Sequence, residues 1–261
     1  RLADVAQRLD LLIAAVFGRS FALRVAQPPV PPTWLSGIFL RQRLPPVNAA
    51  VPMTDDASIW LPDAANGHSR TLALQQAMRA SRQSAQHCPF DGPLLRREAY
   101  LLLEANAADD ALIRLLPGLA QPLHDWRREA LERRPPLSAF SARHRALERV
   151  VRAVLEAPVG ACLPLPGAPG GLLVLPASPA EVRVQAERLE AALAVPGAAS
   201  ARGERLLWRD GWTGDLRPPP AVLRGAAPAD DEGDSDTTSG PTRSARLTRR
   251  PDVRDEIEDE D

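Results

Sequence analysis

Apolar residues recur every three or four positions in several stretches of this chain, and prolines separate the stretches. This spacing places apolar side chains on one face of an α-helix, and it limits the possible folds more than any other feature. Gly18 and the Pro135-Pro136 pair are predicted to end two of the helices. Helices are therefore predicted over residues 2–16, 119–133 and 141–156, with apolar faces formed by Leu2, Val5, Leu9, Leu12, Ile13 and Val16, by Leu119, Leu123, Trp126, Ala130 and Leu131, and by Leu147, Val150, Val151, Val154 and Leu155.

Three further helices are predicted from their boundaries. A long, weakly amphipathic helix is expected over residues 69–87, and a stronger one over residues 93–104, whose proline suits the first helical position. Residues 178–181, Ser-Pro-Ala-Glu, have the capping-box pattern that begins a helix. That helix is expected to end at Gly197, and its apolar face consists of Val182, Ala186, Leu189 and Leu193.

The remaining stretches predict loops and short extended segments. Residues 26–57 are rich in proline and are expected to form a long irregular loop. Ser58-Ile59-Trp60-Leu61, stopped by Pro62, predicts a short strand or an extended anchor, and residues 172–175 could pair as another. Trp208 and Trp212 are expected in a glycine-containing turn. The predicted fold class is mainly α: an irregular multi-helix bundle with Pro-rich loops, one or two short strands and a disordered charged C-terminal tail.

The charge of the chain is divided unevenly between its body and its last residues. Residues 230–261 hold 12 acids and five arginines, whereas the preceding residues hold 21 acids and 27 arginines. The body therefore carries a charge of about +6 and the tail about −7, counting ionised side chains. A segment with so few apolar residues cannot offset the entropy lost on ordering. We predict a helical domain over residues 1–215 and a disordered linker over residues 216–261, leading to an absent C-terminal domain.

Composition excludes several classes of chemistry. All 32 basic residues are arginine, so no P-loop lysine, Schiff base or lysine general base is possible in this chain. Two cysteines form no disulfide framework, which favours a reducing cytoplasm. The sequence has no run of 18 apolar residues and no signal-peptide pattern at its start. We expect a cytoplasmic protein without membrane insertion.

Candidate reactive groups are few, and their spacing is poor. His87, Cys88 and Asp91 superficially resemble metal ligands, but only the distant Cys162 could join them. His144 and Glu148 lie four positions apart, where a surface pair is favoured over a metal site because no third ligand is near. The arginines at positions 243–250 lie between acidic blocks without aromatic residues, so nucleic-acid binding is not expected. We predict no catalytic, cofactor-binding or metal residue in this chain.

Two sets of charged residues are candidates for contacts with other groups. Glu104 and Asp109 lie five positions apart in a helical segment, where they either face solvent or contact arginines of this chain or of a partner. The second set is a possible docking surface because arginine is common at interfaces. It consists of Arg127, Arg128, Arg133 and Arg134.

Three segments resemble one known family. Residues 101–119 contain Leu-Leu-Glu, a later Asp and then Pro-Gly-Leu, as in the helical N-terminal region of the nitric-oxide-reductase activation (NorD) and CbbO family. Residues 58–62 resemble that family's short Trp-Leu-Pro element. Residues 244–251 followed by acids resemble the linker before its von Willebrand A domain. This sequence departs from the pattern at Ala105 and Ala107, where the family has charged residues.

The resemblance implies an accessory role. Members of that family work with a hexameric MoxR-type AAA+ ATPase to activate or remodel a target enzyme, either nitric oxide reductase or Rubisco. The implied function is a non-catalytic adaptor without a cofactor of its own, because the divalent metal would bind the absent von Willebrand A domain. Two alternatives stay open, namely a small helical metal-dependent enzyme using His87, Cys88 and Asp91, and an unrelated protein-binding scaffold.

Overall fold

The structure is a computed structural model that describes residues 1–28, 49–63, 68–194 and 205–220. Within these residues the chain is mainly α-helical, as the apolar periodicity predicted. Short 3-10 turns cover Pro117–Leu119 and Leu137–Ala139. The described helices are α1 Leu2–Phe17, α2 Ser69–Ser81, α3 Ser84–His87, α4 Leu94–Leu115, α5 Ala120–Arg133, α6 Ala142–Glu156 and α7 Pro179–Leu193. The described strands are β1 Ala22–Ala26, β2 Met53–Thr54, β3 Ser58–Pro62, β4 Leu163–Pro164, β5 Leu172–Leu173 and β6 Asp215–Leu216.

Helix α4 is the central element. It packs against α2, α6 and α7. Every residue from Glu98 to Asp109 is buried, so this stretch has no solvent-facing side. Ala99, Ala105, Ala107 and Ala108 occupy part of that surface, and their small side chains allow neighbouring helices to approach closely.

Four strands form a mixed sheet in the order β1-β3-β2-β6. Strand β1 pairs parallel with β3, β3 pairs antiparallel with β2, and β2 pairs parallel with β6. The prediction of a strand at Ser58–Pro62 is confirmed, and Ile59 and Leu61 are its fully buried residues. The strip at 172–175 forms the two-residue strand β5, which pairs with β4. None of β1, β2 and β6 was predicted.

The predicted helix over residues 69–87 is divided into two. Helix α2 ends at Ser81, and Gln83 takes a left-handed conformation with φ 62° before α3 begins. The carboxylate of Asp56, in the β2–β3 turn, accepts hydrogen bonds from the amides of Ala85 and Gln86 at 3.1 and 2.9 Å. The new helix start is therefore stabilised from outside the helix by a residue that helical periodicity does not reveal.

Other helix boundaries follow the local signals more closely. Gly18 is left-handed at φ 68° and ends α1, as predicted. The hydroxyl of Ser178 accepts a hydrogen bond from the amide of Glu181 at 3.3 Å and begins α7. Helix α4 was expected over residues 93–104, and it continues to Leu115 through the helical segment that contains Glu104 and Asp109. None of the described helices is both long enough and apolar enough to span a membrane.

Some predictions lie outside the described residues. These include most of the Pro-rich loop 26–57, the helix end at Gly197, and the tail beyond residue 220. The predicted turn containing Trp208 and Trp212 is described. Trp212 in that turn is fully buried.

Candidate functional site: a buried arginine–carboxylate network

Helix α4 carries three fully buried acids, Glu98, Glu104 and Asp109. They lie six and five positions apart, so they point in different directions from a helix with 3.6 residues per turn. Each one lies within 4 Å of an arginine from a different part of the chain: Arg209 for Glu98, Arg82 for Glu104 and Arg127 for Asp109. Burying a carboxylate is costly unless it is paired and hydrogen-bonded, so these partners account for the acids inside the core.

Asp109 lies between α2, α5 and the turn around Trp212. Its carboxylate accepts hydrogen bonds from the side-chain amide of Gln75 and the indole N–H of Trp212, both at 2.7 Å. The guanidinium of Arg127 is 3.8 Å away. Burial raises the pKa of Asp109 above its ordinary value, while Arg127, Trp212, Gln75 and Arg79 act in the opposite direction.

Two buried arginines flank Asp109, and both bind backbone carbonyls. Arg79 donates to the carbonyls of Thr213 and Trp212 at 2.9 and 3.2 Å. Arg127 donates to the carbonyls of Val154 and Ala157 at the end of α6, where a cation is favoured by the helix dipole. Burial lowers the pKa of both guanidinium groups, although Asp109 offsets part of that effect.

Glu98 is paired with Arg209 in a two-pronged contact. The guanidinium nitrogens lie 2.5 and 3.1 Å from the two carboxylate oxygens, and the amide of Leu207 donates to the same carboxylate at 3.3 Å. Arg209 also lies 3.5 Å from Asp215. Burial lowers the pKa of Arg209, but these two acids outweigh that effect and the pKa lies above its ordinary value.

Glu104 explains the break between α2 and α3. Arg82 donates to both carboxylate oxygens at 2.7 and 3.2 Å, and the hydroxyl of Ser84 donates to one of them at 2.6 Å. These two donors stand on either side of the left-handed Gln83. The turn therefore brings two groups to the same buried carboxylate, which a continuous helix would not do.

A fourth cluster joins α5, α6 and the segment after residue 205. Arg134 donates to both oxygens of Glu148 at 2.8 Å, to Asp210, and to the carbonyl of Trp208 at 3.1 Å. Its guanidinium lies 5.0 Å from the centroid of the Trp208 ring. Arg152 is a second partner of Glu148 at 3.0 Å.

Residues 205–217, here called the strap, contribute to three of these four clusters. Arg209 reaches Glu98, Trp212 reaches Asp109, and Asp210 reaches Arg134. The strap ends in β6, which pairs with β2. The network can therefore fix the strap to the helical core. The charged groups of the network are hydrogen-bonded to other residues of the same chain.

Four of the six predicted contact residues belong to this network. Glu104, Asp109, Arg127 and Arg134 are buried, so the possibility that the two acids face solvent is wrong and the contact with arginines of this chain is what the structure contains. A buried side chain offers no surface to a partner in this conformation. Arg128 and Arg133 are 60% and 66% exposed, and they pair with Asp125 and Glu129 on their own helix.

The predicted surface pair of His144 and Glu148 is also corrected. Both residues are buried, and they have different partners. The ring of His144 contacts the hydroxyl of Ser141 at 2.6 Å and the carbonyl of Arg205 at 3.1 Å, whereas Glu148 binds arginines. Their four-residue spacing thus places them on the same side of α6, but that side faces the core and the strap.

His87, Cys88 and Asp91 differ in their surroundings. Burial raises the pKa of the Cys88 thiol to about 12, so the thiol stays protonated near neutral pH. Asp91 is exposed, and Cys88 is buried. Across the described parts of the chain, no group of three or more His, Cys, Asp or Glu side chains is arranged to hold a metal ion.

The Glu98–Arg209 pair was missed because the two residues are 111 positions apart. An acid within the apolar run 98–103 is the one sequence signal for it, since such an acid needs a partner if the helix is buried. The sequence did not indicate which arginine would supply that partner.

A surface groove of about 480 Å³ lies between α1 and β1 and is open to solvent. It is lined by Ala6, Gln7, Asp10 and residues 20–23, which include a single carboxylate and no histidine or cysteine. The buried network holds more charged side chains than this groove does, so it is the candidate site. Comparison with family models, with curated proteins and with solved structures found no match.

Proposed function

We propose that this chain is a non-catalytic adaptor region that works with a hexameric MoxR-type AAA+ ATPase to activate or remodel a target enzyme. The target would be of the nitric oxide reductase or Rubisco type, as the family resemblance implies. The observation that carries the proposal is the place of the resembling segment 101–119. It supplies most of the central helix α4, and two of its three acids lie inside the core, where Glu104 binds Arg82 and Asp109 lies beside Arg127.

This position favours a scaffolding role for the motif. Acids that act on a substrate must reach it, whereas Glu104 and Asp109 are fully buried and hydrogen-bonded to neighbours in the chain. Their effect is to hold α2, α5 and the strap against α4. The proposed role of the body is thus to present a rigid outer surface to other proteins.

The proposed docking surface for the ATPase is the exposed face of α5 around Arg128 and Arg133. Both side chains project into solvent from a helix that Arg127 and Arg134 attach to the core. Exposed arginines on a rigid helix can bind carboxylates of a partner at a modest entropic cost. Their pairs with Asp125 and Glu129 lie at the surface, where such pairs contribute little to stability, and Glu129 also contacts His68.

The test is a binding assay between this chain and a hexameric MoxR-type AAA+ ATPase, performed with ATP. We expect the wild-type chain to bind and the variant R128E/R133E to bind at least about tenfold more weakly, a loss of about 1.4 kcal/mol. The matched control is R183E/R188E, which makes the same change of charge on exposed positions of α7. It should bind like the wild type.

The possible outcomes separate the parts of the proposal. Absence of binding by the wild-type chain would contradict the adaptor role. Binding that both double variants weaken equally would retain the adaptor but contradict the docking surface on α5. Stoichiometric zinc or iron in the purified protein would instead favour the metal-dependent enzyme.

A further inference from the structure

Strand β1 lies at one edge of the four-stranded sheet. It pairs with β3 on one side, and no strand of the described residues pairs with its other side. The amide of Ala22 donates to the carbonyl of Ala57 at 3.3 Å, so the backbone groups of Ala22 and Arg24 face β3. Because these groups alternate in direction along a strand, the N–H and C=O groups of Leu23 and Val25 point to the open side. They can pair with a further strand.

The inner side of this edge borders the groove between α1 and β1. Leu23 is in register with the buried Ile59, and it lines the groove together with residues of α1. Val25 lies two positions further along on the same side of the sheet and is 50% exposed. Leu11 is 64% exposed and lies one helical turn beyond Gln7, which also lines the groove. Apolar side chains are therefore exposed beside open backbone groups, which proteins generally avoid at the edge of a sheet.

The outer side of the same edge is positively charged. Arg24 is in register with the half-buried Trp60, and the guanidinium carbons of Arg24 and Arg217 lie 5.6 and 4.5 Å from the centroid of its ring. Both arginines are exposed, and neither forms an ion pair with an acid of the described residues. Asp215, the acid in the same row of the sheet, lies 3.5 Å from Arg209. We call Arg24, Trp60 and Arg217 the outer-face cluster.

These two sides select the side chains of a strand that pairs with β1. Successive side chains of a strand point to opposite faces, so every second one lies toward the outer-face cluster and the others lie toward the groove. Acidic side chains suit the outer face, where Arg24 and Arg217 can donate charge-assisted hydrogen bonds. Apolar side chains suit the groove, where they contact Leu23 and Val25 and where Asp10 disfavours an acid.

A second copy of this chain is a poorer occupant of the edge. Arg24 is the middle residue of β1. Antiparallel pairing of two β1 strands about their centres would place the two Arg24 side chains directly opposite each other, and like charges in that position are destabilising.

We propose that β1 binds an extended acidic peptide of a partner protein as an added strand, with an acid at every second position. Hydrogen bonds to the backbone of Leu23 and Val25 supply affinity, while the outer-face cluster and the groove select the side chains. This edge is formed by other elements than the docking surface proposed on α5. The inference therefore does not depend on the proposed function.

The test uses the full chain and a synthetic peptide in which glutamate and valine alternate. The matched control peptide has the same composition and charge, but its glutamates are consecutive. By fluorescence anisotropy of labelled peptides, we expect the alternating peptide to bind at least about tenfold more tightly, a difference of about 1.4 kcal/mol. It should also slow the hydrogen exchange of the Leu23 and Val25 amides, because an added strand hydrogen-bonds both of them.

Two variants and one control make the test specific. The variant R24E/R217E should bind the alternating peptide at least about tenfold more weakly, since it loses charge-assisted hydrogen bonds on the outer face. The charge-matched control R183E/R188E, on α7, should bind like the wild type. Val25→Pro removes one outward N–H group while keeping the bonds to β3, and it should prevent the slower exchange of Leu23.

Any of four results would overturn the proposal. The first two are binding of the alternating peptide no tighter than that of its control, and binding that R24E/R217E leaves unchanged. The third is binding without slower exchange at Leu23 and Val25, which would mean that the peptide contacts the arginines without adding a strand. The fourth is full protection of these amides in the free chain, because the open side of β1 would then already be occupied. Thermal unfolding of each variant establishes that it is folded.

Discussion

Arginine has two different surroundings in this molecule. In the buried network, Arg134 and Arg209 each donate hydrogen bonds from two guanidinium nitrogens to the two oxygens of one buried carboxylate. These carboxylates are Glu148 and Glu98, respectively. On the outer face of the four-stranded sheet, opposite the buried Ile59 and Leu61, Arg24 and Arg217 lie on Trp60 and have no acidic partner among the described residues. The same side chain thus joins elements together in one region and provides accessible charge in the other.

This difference determines how much each arginine contributes to the free energy of unfolding. A buried charge that loses its partner cannot be solvated, so each interior pair constrains both of its members. An exposed guanidinium that loses a neighbour is solvated by water at little cost. We therefore expect interior substitutions to change the free energy of unfolding strongly, and outer-face substitutions to change it little.

The largest expected effect is that of Asp109→Ala. This change leaves Arg127 buried without the carboxylate 3.8 Å away, removes the acid that most favours the charged form of Arg79, and removes the acceptor of Gln75 and Trp212. We expect a loss of about 3–5 kcal/mol in the free energy of unfolding, measured by denaturant titration.

The matched substitution on the outer face is Arg24→Ala. It should change the free energy of unfolding by no more than about 1 kcal/mol, since only an exposed cation–π contact is lost. Equal effects of the two substitutions would remove the distinction between the regions.

A second test concerns the close packing of the strap. Gly214 has φ 59°, and a Cβ there would lie 2.8 Å from the carbonyl oxygen of Pro52. Gly170 has φ 76° with no atom within 4 Å of such a Cβ. Gly214→Ala should therefore cost about 1–3 kcal/mol more than Gly170→Ala, because both share the backbone strain but only one is overpacked. Similar unfolding midpoints for the two variants would mean that the strap is loosely packed.

A third test compares the two tryptophans of the strap. The indole N–H of Trp212 donates to Asp109, while that of Trp208 has no hydrogen-bond partner in the described structure. Trp212→Phe should cost about 1.5–3 kcal/mol more than Trp208→Phe, the usual range for a hydrogen bond to a charged group. Trp212 is fully buried and Trp208 is half-buried, so the difference in the free energy of unfolding combines the loss of that bond with a larger cavity at Trp212. A smaller loss for Trp212→Phe would argue against the network.

The smallest expected effect is a dependence on pH. Burial raises the pKa of Asp109 above its ordinary value of 3.8, so the folded chain binds this proton more tightly than the unfolded chain does. Stability from this group is then fully present below pH 3.8 and is lost as pH rises through the raised pKa. Between about pH 4 and pH 7, Asp109→Asn should show a less negative slope of unfolding free energy against pH than the wild type. Parallel slopes would contradict the raised pKa.

The sequence predicted those features of the fold that depend on residues close together in the chain, such as helix boundaries and buried faces. The hydroxyl of Ser178 begins α7 and the left-handed Gly18 ends α1, each through contacts within a few positions. Both predicted boundaries are confirmed. The apolar spacing of β3 and of the helices likewise reports which side faces the core. These features need no knowledge of distant parts of the chain.

The network could not be predicted, because its contacts join distant residues. Asp109 meets Trp212 across 103 positions, and Arg134 meets Asp210 across 76. An acid in a helix is favourable at the surface by default, and only a counter-charge from elsewhere makes burial possible. Strand β6 has just two residues, so periodicity gives no signal for it, and its pairing depends on where the strap is held.

Hydrogen exchange at the end of the strap tests the central claim, that the buried network fixes the strap to the core. The amides of Asp215 and Arg217 donate to the carbonyls of Pro52 and Thr54, each at 2.9 Å. We predict that both amides exchange with the same free energy of opening as Leu102 in α4, because the strap is released only on global unfolding. Fast exchange of these two amides through local opening, while Leu102 stays protected, would contradict this account.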